Sequence, residues 1–541
     1  MSVDVGAVPA RKFKTQDGYI QHSAPDLKEH YTCIVMGAGL SGMATAIQLR
    51  RKLGVEDFLV FEKTDDVGGT WNVNRYPGAA CDIPFTFYSF SFDPAYDVPS
   101  QWASQGDILK YLHGVQERQK LDKVVFRNVV ETSTFSRETG LWTLRVRDLE
   151  TDTVRTRTCN ILLSCLGGLT IPNDPPFDPK DFDGPVFHTA EWRQDVDLKG
   201  KDVVVVGNGC TAIQVVPELV KEANTVSQVC RSRQSIFPRI DVPDSNLIRF
   251  LLRWLPGFGL FLRCCMYCII ESHFVISDIE KGRRHREHSI VKIKKYIEGV
   301  APKKYWDKLY PDFDVAAKRR IFDTTYYECL NADNMELVAD DTVVSAKGSS
   351  VFTKNGREIQ ADAVVLATGF KVRDYFFPMN VVNEKGENLK DRLQQNGVKT
   401  FQSTLVSGYP NFWIMGPNGA TGHSSVLFTS ECQLTLAFHL IRPILDQVRK
   451  PKEVTPAPFV EVTQQAEESY WQGLRKEMKK KVWEQDGGVS WYVDPKTGYC
   501  TTLYPWSQTH FWRKATFPDY NNFAWTNATR PWAWRSWLGW A

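Results

Sequence analysis

Apolar residues in this chain come in short unbroken runs, four to six residues long, and several of the runs stop at a glycine. Thr32–Met36, Phe58–Phe61, Asn160–Cys165, Lys201–Val206 and Asp362–Leu366 lack the regular polar alternation of a half-exposed strand, which predicts strands covered on both faces. Between the first two, Met43 to Lys52 has apolar residues at helical spacing. Buried strands alternating with helices predict an α/β fold with parallel sheets. Phe85 to Phe92 alternates aromatic and small residues and reads as a further strand in apolar surroundings. Residues 240–310 read as helical and irregular, and the most apolar stretch, Phe250 to Ile270, lies within them. Arg253, Pro256, Gly257 and Arg263 interrupt that stretch short of the length a membrane span needs, so a buried helical pair is expected rather than a surface helix. The basic run Lys281–Arg286 is expected to form a solvated face.

The segments just past the strand ends carry the chemistry. Gly37-Ala-Gly39-Leu-Ser-Gly42 comes directly after the first strand and opens the helix, and Glu62 ends the next strand about 20 residues beyond the last glycine. Gly37 allows the tight turn, Gly39 lets a pyrophosphate approach the backbone, and Gly42 lets helix and strand pack. The helix N-terminus faces the phosphates, and Glu62 can accept both hydroxyls of an adenosine ribose, which suits FAD or NAD. A second loop, Gly207-Asn-Gly209-Cys-Thr211-Ala212, comes after Lys201–Val206, with Ala212 as the small-residue variant of the third glycine. The strand after it ends in Cys230-Arg231-Ser232-Arg233 instead of an acid. An arginine there pairs a ribose 2′-phosphate, which predicts NADPH, held by Arg231 with Arg233 two residues on.

Between the two loops lies Phe182-Asp-Gly184-Pro-Val-Phe-His188-Thr-Ala-Glu-Trp192. It is placed to connect two nucleotide-binding units: Gly184 for a sharp turn, His188 to donate, accept or carry charge, and Trp192 to wedge between domains. Gly68-Gly69-Thr70-Trp71 offers amides to a second face of a pyrophosphate, with Arg75-Tyr76-Pro77-Gly78 and Cys81-Asp82 just downstream. Gly167-Gly168 and Ala367-Thr368-Gly369-Phe370 are strand ends expected beside the first nucleotide. Gly416-Pro-Asn-Gly-Ala-Thr421-Gly422-His423 is another amide-rich turn before a helix. Lys318-Arg319-Arg320, Trp491 and a tail bearing Trp532, Trp534, Trp537 and Trp540 complete the candidates, the tail being expected to pack across a domain surface.

Length and charge narrow the class. A chain of 541 residues with 43% hydrophobic and 12% aromatic residues is long enough for several packed units. A net charge of +3 gives no support for nucleic-acid binding. Twelve cysteines without framework spacing suggest a reducing, cytoplasmic setting, and the first thirty residues show no apolar signal core. Cys264, Cys265 and Cys268 lie among Leu, Phe, Met and Ile and are expected as a buried apolar cluster, so no metal site is predicted. The expected division is an FAD-binding domain over 1–170, an NADPH-binding domain over 171–365 with a helical insert about 240–315, and a return to the FAD domain with a C-terminal tail over 366–541.

Assembled, these residues resemble the class B flavoprotein monooxygenases of the Baeyer–Villiger type. Phe182-x-Gly184-x-x-x-His188-x-x-x-Trp192 fits that family's fingerprint, and Gly-Gly-Thr-Trp, Arg-Tyr-Pro-Gly, Cys-Asp, Ala-Thr-Gly-Phe and Gly-Pro-Asn-x-Ala-Thr-Gly-His are similar to its other motifs. The resemblance covers residues 30–510. It implies two Rossmann-like domains, with NADPH reducing FAD and oxygen forming a flavin C4a-peroxide that converts a ketone to an ester or lactone. Chain length and the Lys-Arg-Arg variant are similar to fungal members acting on polyketide or terpenoid intermediates. By the same resemblance Arg319 stabilises the peroxyanion, Asp82 positions it, and Trp491 follows the nicotinamide nucleotide. Arg193, Arg233 and Ala316-Ala317 depart from the family pattern, the last pair standing where a glycine or cysteine precedes Lys-Arg. Three other classes compete. An N- or S-oxygenating flavin monooxygenase would end the connector in Tyr or Phe and lack the Asp82 and Arg319 pair. A disulfide reductase would need a redox-active cysteine pair. A catalytically silent flavin-binding scaffold would not need the second loop and Arg231.

Overall fold

The two strand–glycine–helix units nucleate two different sheets. The computed structural model describes residues 27–95, 100–239, 245–374, 376–415, 424–451, 454–485 and 490–531. His30–Met36 belongs to an eight-stranded sheet and pairs in parallel with Phe58–Phe61 on one side and Val154–Ser164 on the other. Past Val154–Ser164 the sheet turns antiparallel through Leu141–Asp148 and Asn128–Ser136, and Asn380–Val382 forms that edge. Phe412–Ile414 also pairs with Val154–Ser164, so the chain after residue 366 comes back to the first sheet. The second sheet is wholly parallel, in the order Met335–Ala339, Thr225–Cys230, Asp202–Val206, Ala363–Leu366, Val186–His188.

Burial explains the unbroken apolar runs. All four residues of Phe58–Phe61 and of Ala363–Leu366 are buried, as are four of the five in Asp202–Val206. The helix Leu40–Leu53 lies on the first sheet with Met43, Ala44, Ile47 and Leu49 inside, and Val426–Val448 buries Leu434, Leu440 and Ile444 in the same core. Gly42 makes the first of these contacts possible, because a Cβ there would stand 1.8 Å from the Gly37 carbonyl oxygen. In the second unit Gly207 sits at φ +119°, and a Cβ on it would meet the Ala367 carbonyl oxygen at 2.4 Å. The second loop is thus pressed onto the strap that leaves the second sheet.

Several expectations change. Phe85–Phe92 is a turn and not a strand: the amides of Phe87 and Tyr88 both donate to the Pro84 carbonyl, at 2.9 Å each. Phe85 and Phe90 are nonetheless wholly buried, so the aromatic period reflected burial from a turn. The helical pair Asn246–Trp254 and Phe258–Ser272 is not a buried one. Leu247, Phe250, Trp254, Leu260, Phe261 and Ile269 are 58–66% exposed. Cys264 and Cys268 are exposed as well, so the cysteine trio forms no buried cluster. In the basic run, Arg283 and Arg284 are solvated but Arg286 is 4% exposed and donates to the Ile276 and Ile279 carbonyls, at 3.1 and 2.6 Å. It locks the turn that leaves the helical pair. The Gly416–His423 turn, including Thr421, Gly422 and His423, and the tail tryptophans from Trp532 onward lie outside the described residues.

Candidate active site

The carboxyl ends of the parallel strands in both sheets open into one cavity of about 1810 Å³, lined by both glycine loops. Single small-molecule pockets run to roughly 300–1,000 Å³, so this cavity has room for more than one occupant. Gly37, Gly39, Glu62, Gly69, Thr70, Trp71 and Asp82 line it from the first unit, and Gly207, Gly209, Thr211, Arg231 and Arg319 from the second. Trp491, 41% exposed, lines it from the C-terminal segment. Gly42 and Ala212 are buried behind their loops, where they pack helix on strand.

The loops are shaped to admit phosphates. Gly39 and Gly69 bring their backbones together: a Cβ on Gly69, at φ +54°, would stand 2.9 Å from the Gly39 Cα. A Cβ on Gly209 would meet nothing within 4 Å, which leaves the start of the helix Cys210–Val220 open toward the cavity. Glu62 is held in place by the amides of Ala38 and Thr64 and the Thr64 hydroxyl, at 2.7–2.8 Å, while still lining the cavity. The two arginines after Thr225–Cys230 differ. Arg233 is engaged by the Tyr310 carbonyl, at 3.3 Å, and lies 3.8 Å from Asp312. Arg231 is exposed, lines the cavity and forms no ion pair among the described residues. The residues present therefore fit a dinucleotide on each loop, the second carrying an additional phosphate opposite Arg231.

Arg319 and Asp82 meet at the junction of the two units. Arg319 Nη2 lies 2.7 Å from Asp82 Oδ1 and 2.5 Å from Oδ2, and Nε donates to Oδ2 at 3.1 Å. The pair is partly open, with 35% of the arginine side chain and 22% of the aspartate side chain accessible. The negative charge of Asp82 holds the guanidinium well above its ordinary pKa, against the opposing pull of burial. Asp323 is no competitor for Arg319, because it accepts from the Tyr296 hydroxyl at 2.9 Å and the Tyr326 amide at 2.6 Å. The neighbouring bases are directed elsewhere. Lys318 Nζ donates to the Arg233 carbonyl at 3.0 Å and lies 4.1 Å over the Phe313 ring. Arg320 lines a separate cavity of about 20 Å³ beside Trp483 and Tyr492.

The turn that aims Arg319 contains the departure at Ala316. The Ala317 amide closes it onto the Asp314 carbonyl at 2.9 Å, and Ala316, its third residue, has φ +79°. That is the value a type II turn imposes there and the reason glycine is favoured at such a position. Ala316 accepts the strain, and Arg319 still reaches Asp82.

Further contacts between the units were not legible in the sequence. The Tyr76 hydroxyl donates to Gln214 Oε1 at 2.8 Å, and Gln214 Nε2 donates to the Ala80 carbonyl at 2.9 Å. Gly78, at φ +80°, lies so close that a Cβ would meet the Gln214 carbonyl oxygen at 2.4 Å. Arg373 donates to the Val493 carbonyl at 3.1 Å and so ties the Trp491 segment to the strap between the sheets. Gly78 belongs to the Arg75-Tyr-Pro-Gly turn, but Gln214 and Arg373 belong to no motif.

The connector does not line the cavity. Phe182 is 4% exposed in the core behind the second sheet. Gly184 serves close approach and not a left-handed turn: a Cβ there would meet the Asp362 carbonyl oxygen at 2.2 Å. Trp192 packs edge-on against Phe187 at 5.3 Å, joining the core of the second unit. His188, 4% exposed, carries no charge. Its Nδ1 accepts the Ala190 amide at 3.1 Å, which places the proton on Nε2, and burial pushes its pKa down to about 4, opposed by the Gly369 backbone. Its ring meets Phe370 edge-on at 5.4 Å, so the connector bears directly on the strap.

Comparison with known proteins agrees with this geometry. Residues 35–101 match the NAD(P)-binding Rossmann-like domain family, and residues 104–247 match the L-lysine 6-monooxygenase/L-ornithine 5-monooxygenase family. The chain is 32% identical over 499 residues to a Baeyer–Villiger monooxygenase of Streptomyces coelicolor, covering 91% of this chain and 92% of that one. It is likewise 32% identical over 488 residues to one from Pseudomonas aeruginosa, covering 89% of each. Its fold matches that of an oxidized steroid monooxygenase bound to NADP with a TM-score of 0.77, at 24% identity over 92% of this chain and 99% of that one.

Two measurements test the local physics. Ala316→Gly removes a left-handed penalty of about 1–2 kcal/mol at the cost of a more flexible unfolded chain, so it should stabilise the protein by about 0.5–1 kcal/mol in urea unfolding. A destabilised variant would show that the turn carries no strain. For His188 the folded pKa lies below the unfolded one, so the unfolded chain binds the extra proton as the pH falls from about 6.5 toward 4. Stability from its neutral form is complete above that window and declines within it. Between about pH 7 and pH 5, His188→Gln should lose about 2 kcal/mol less stability than the natural chain. Parallel pH profiles would mean that His188 is not held neutral.

Proposed function

The chain belongs to the Baeyer–Villiger monooxygenase family, and from that membership we propose that it inserts one oxygen atom of O2 beside the carbonyl of a ketone to give an ester or lactone. It is an FAD-dependent monooxygenase that consumes NADPH. FAD is held by the first unit through Gly37, Gly39, Gly42, Glu62, Gly69, Thr70 and Trp71, with Thr421, Gly422 and His423 as further contacts. NADPH is held by the second unit through Gly207, Gly209, Thr211, Ala212 and Arg231, flanked by Trp491. In this division the FAD domain comprises residues 1–170 and 366–541, and the NADPH domain 171–365. We further propose a polyketide- or terpenoid-like ketone as substrate, on the resemblance of the chain's length and its Lys318-Arg319-Arg320 variant to fungal members of the family.

The single observation that carries this reading is the pairing of Arg319 with Asp82 at the edge of the shared cavity. Bound FAD, once reduced by NADPH, supplies oxygen activation. The chain's own task is to hold a cation where negative charge gathers during oxygen transfer. Arginine suits that task because it stays protonated even when shielded from water. Asp82 fixes the guanidinium plane through Nε and Nη2, which leaves the other amino group directed away from the carboxylate. Because the two partners come from different units, the cation is in place only when the units are closed on each other. The match of residues 104–247 to an N-oxygenating family favours a second outcome, oxygen transfer to nitrogen or sulfur, and a panel of ketones, amines and sulfides analysed by mass spectrometry separates the two.

Arg319→Ala should still bind both nucleotides and oxidise NADPH, but release hydrogen peroxide in place of ester. Asp82→Ala should do so more mildly, and Arg319→Lys should restore little coupling. Hydrogen peroxide and product are counted per NADPH, and a variant that forms ester in proportion to NADPH would end the proposed role. Arg231→Ala should lose roughly tenfold or more in NADPH affinity while leaving NADH use unchanged, since it removes one charge-assisted contact. Stopped-flow flavin reduction with both nucleotides checks this, and an unaltered preference would move the phosphate contact elsewhere.

A further inference from the structure

From the exposed helical pair Asn246–Trp254 and Phe258–Ser272 we infer that the protein docks on the surface of an anionic phospholipid bilayer, with this pair lying in the interface. The exposed side chains of the pair include a set of large apolar ones: Leu247, Phe250 and Trp254 on the first helix, Leu260, Phe261 and Ile269 on the second, all more than half exposed. Among the described residues, Phe258–Ser277 is also the one helical stretch long and apolar enough to cross a membrane by length and composition, and only 11% of its apolar window is buried. Its inner face shows why it lies on the surface instead of spanning.

Arg263, the only charged residue between Trp254 and Ile270, turns inward. It donates to the Thr86 carbonyl at 2.6 Å and to the Ser89 hydroxyl and carbonyl at 3.0 and 3.1 Å. Glu271 accepts the amides of Gln508 and Thr509, at 3.2 and 2.8 Å, at the start of the helix Gln508–Thr516. Crossing a bilayer would strip both groups of their partners. On the second helix, Phe258–Ser272, the charged side chains are thus engaged on the protein side, and the exposed Leu260, Phe261 and Ile269 are apolar.

Charge supplies the complement. Residues 245–295 hold ten Lys and Arg against four Asp and Glu, a net +6 in a chain whose total is +3, so the rest of the molecule is net negative. Lys281, Arg283 and Arg284 are exposed just past the end of the pair, and Lys292, Lys294 and Lys295 continue the exposed basic face of Arg283–Val300. An apolar helix face bearing Trp, Phe and Leu, bordered by lysine and arginine, is the pattern of a helix that lies in the headgroup region. A second copy of the chain is a poorer occupant, since two such basic segments would repel. A specific protein partner would meet, Trp254 apart, exposed side chains without hydrogen-bonding groups at Leu247, Phe250, Leu260, Phe261 and Ile269. The pair also sits one layer from the cavity. Tyr267 packs on Phe87 and Phe428, at 6.4 and 5.2 Å, and their near neighbours Tyr88 and Val426 line the cavity. An apolar ketone dissolved in the bilayer would thus be presented beside the active site.

Flotation of the FAD-loaded full chain with phospholipid vesicles tests this. Vesicles of phosphatidylcholine with about a third phosphatidylserine should carry the protein, and phosphatidylcholine alone should carry much less. The double variants Leu260→Ser/Phe261→Ser and Arg283→Glu/Arg284→Glu should each lower partitioning by roughly tenfold or more, with NADPH oxidation unchanged. Several results would overturn the inference: no partitioning of the natural chain, partitioning that survives both double variants, or a dimer in solution that Leu260→Ser/Phe261→Ser separates. Binding that appears only after removal of residues 532–541 would assign these apolar side chains to the chain's own tail and overturn it equally.

Discussion

One ion pair joins the two separately wound sheets at the edge of the shared cavity. Asp82 comes from a loop of the first unit, and Arg319 follows the Asp314–Ala317 turn of the second, in which Ala316 is strained. Surface ion pairs contribute little to stability, typically below ~1 kcal/mol, and this one is partly open. Its value lies in position. Two acceptor oxygens fix the plane of a guanidinium that a flexible side chain would otherwise leave free. Tyr76, Gln214 and the bare Gly78 hold the same junction from the side, so the alignment does not rest on charge alone.

A second set of contacts couples the connector to the strap between the sheets. Val186–His188 pairs with Ala363–Leu366, and His188 bears on Phe370 just beyond that strand. Gly207 presses on Ala367 from the second loop, and Arg373 holds Val493 at the far end. The second unit, the strap and the Trp491 segment are thus joined by direct contacts. Neutral His188 suits a joint of this kind better than a charged one, because a buried imidazolium would need a counter-charge that the surroundings do not offer.

The helical pair shows how a charge in a sequence can mislead. Arg263 interrupts an apolar run on paper, but in three dimensions it satisfies backbone carbonyls of the Thr86–Ser89 turn, while Leu260, Phe261 and Ile269 stay exposed. Arg286 does the same at the exit of the pair, where it is enclosed by carbonyls while Arg283 and Arg284 face solvent. The direction of a long cationic side chain is set by which unsatisfied carbonyls lie within its reach, and for Arg263 those are 174–177 positions away.

The sequence by itself determined the two parallel units, both glycine loops, Glu62 and Arg231 at the strand ends, and the family, because those depend on local spacing. A buried strand, a tight turn and a helix start are all made within about 30 residues of one another. The Asp82 and Arg319 pairing was legible only through the family resemblance, since 237 positions separate them and no local rule joins them. Tertiary structure alone decided that Gly184 is needed for approach to Asp362, that His188 is neutral, that Phe85–Phe92 is a turn, and that the helical pair faces outward. Each of those depends on which distant surface comes to lie against the residue. That is a property of how the units dock, and hydrophobic periodicity carries no record of it.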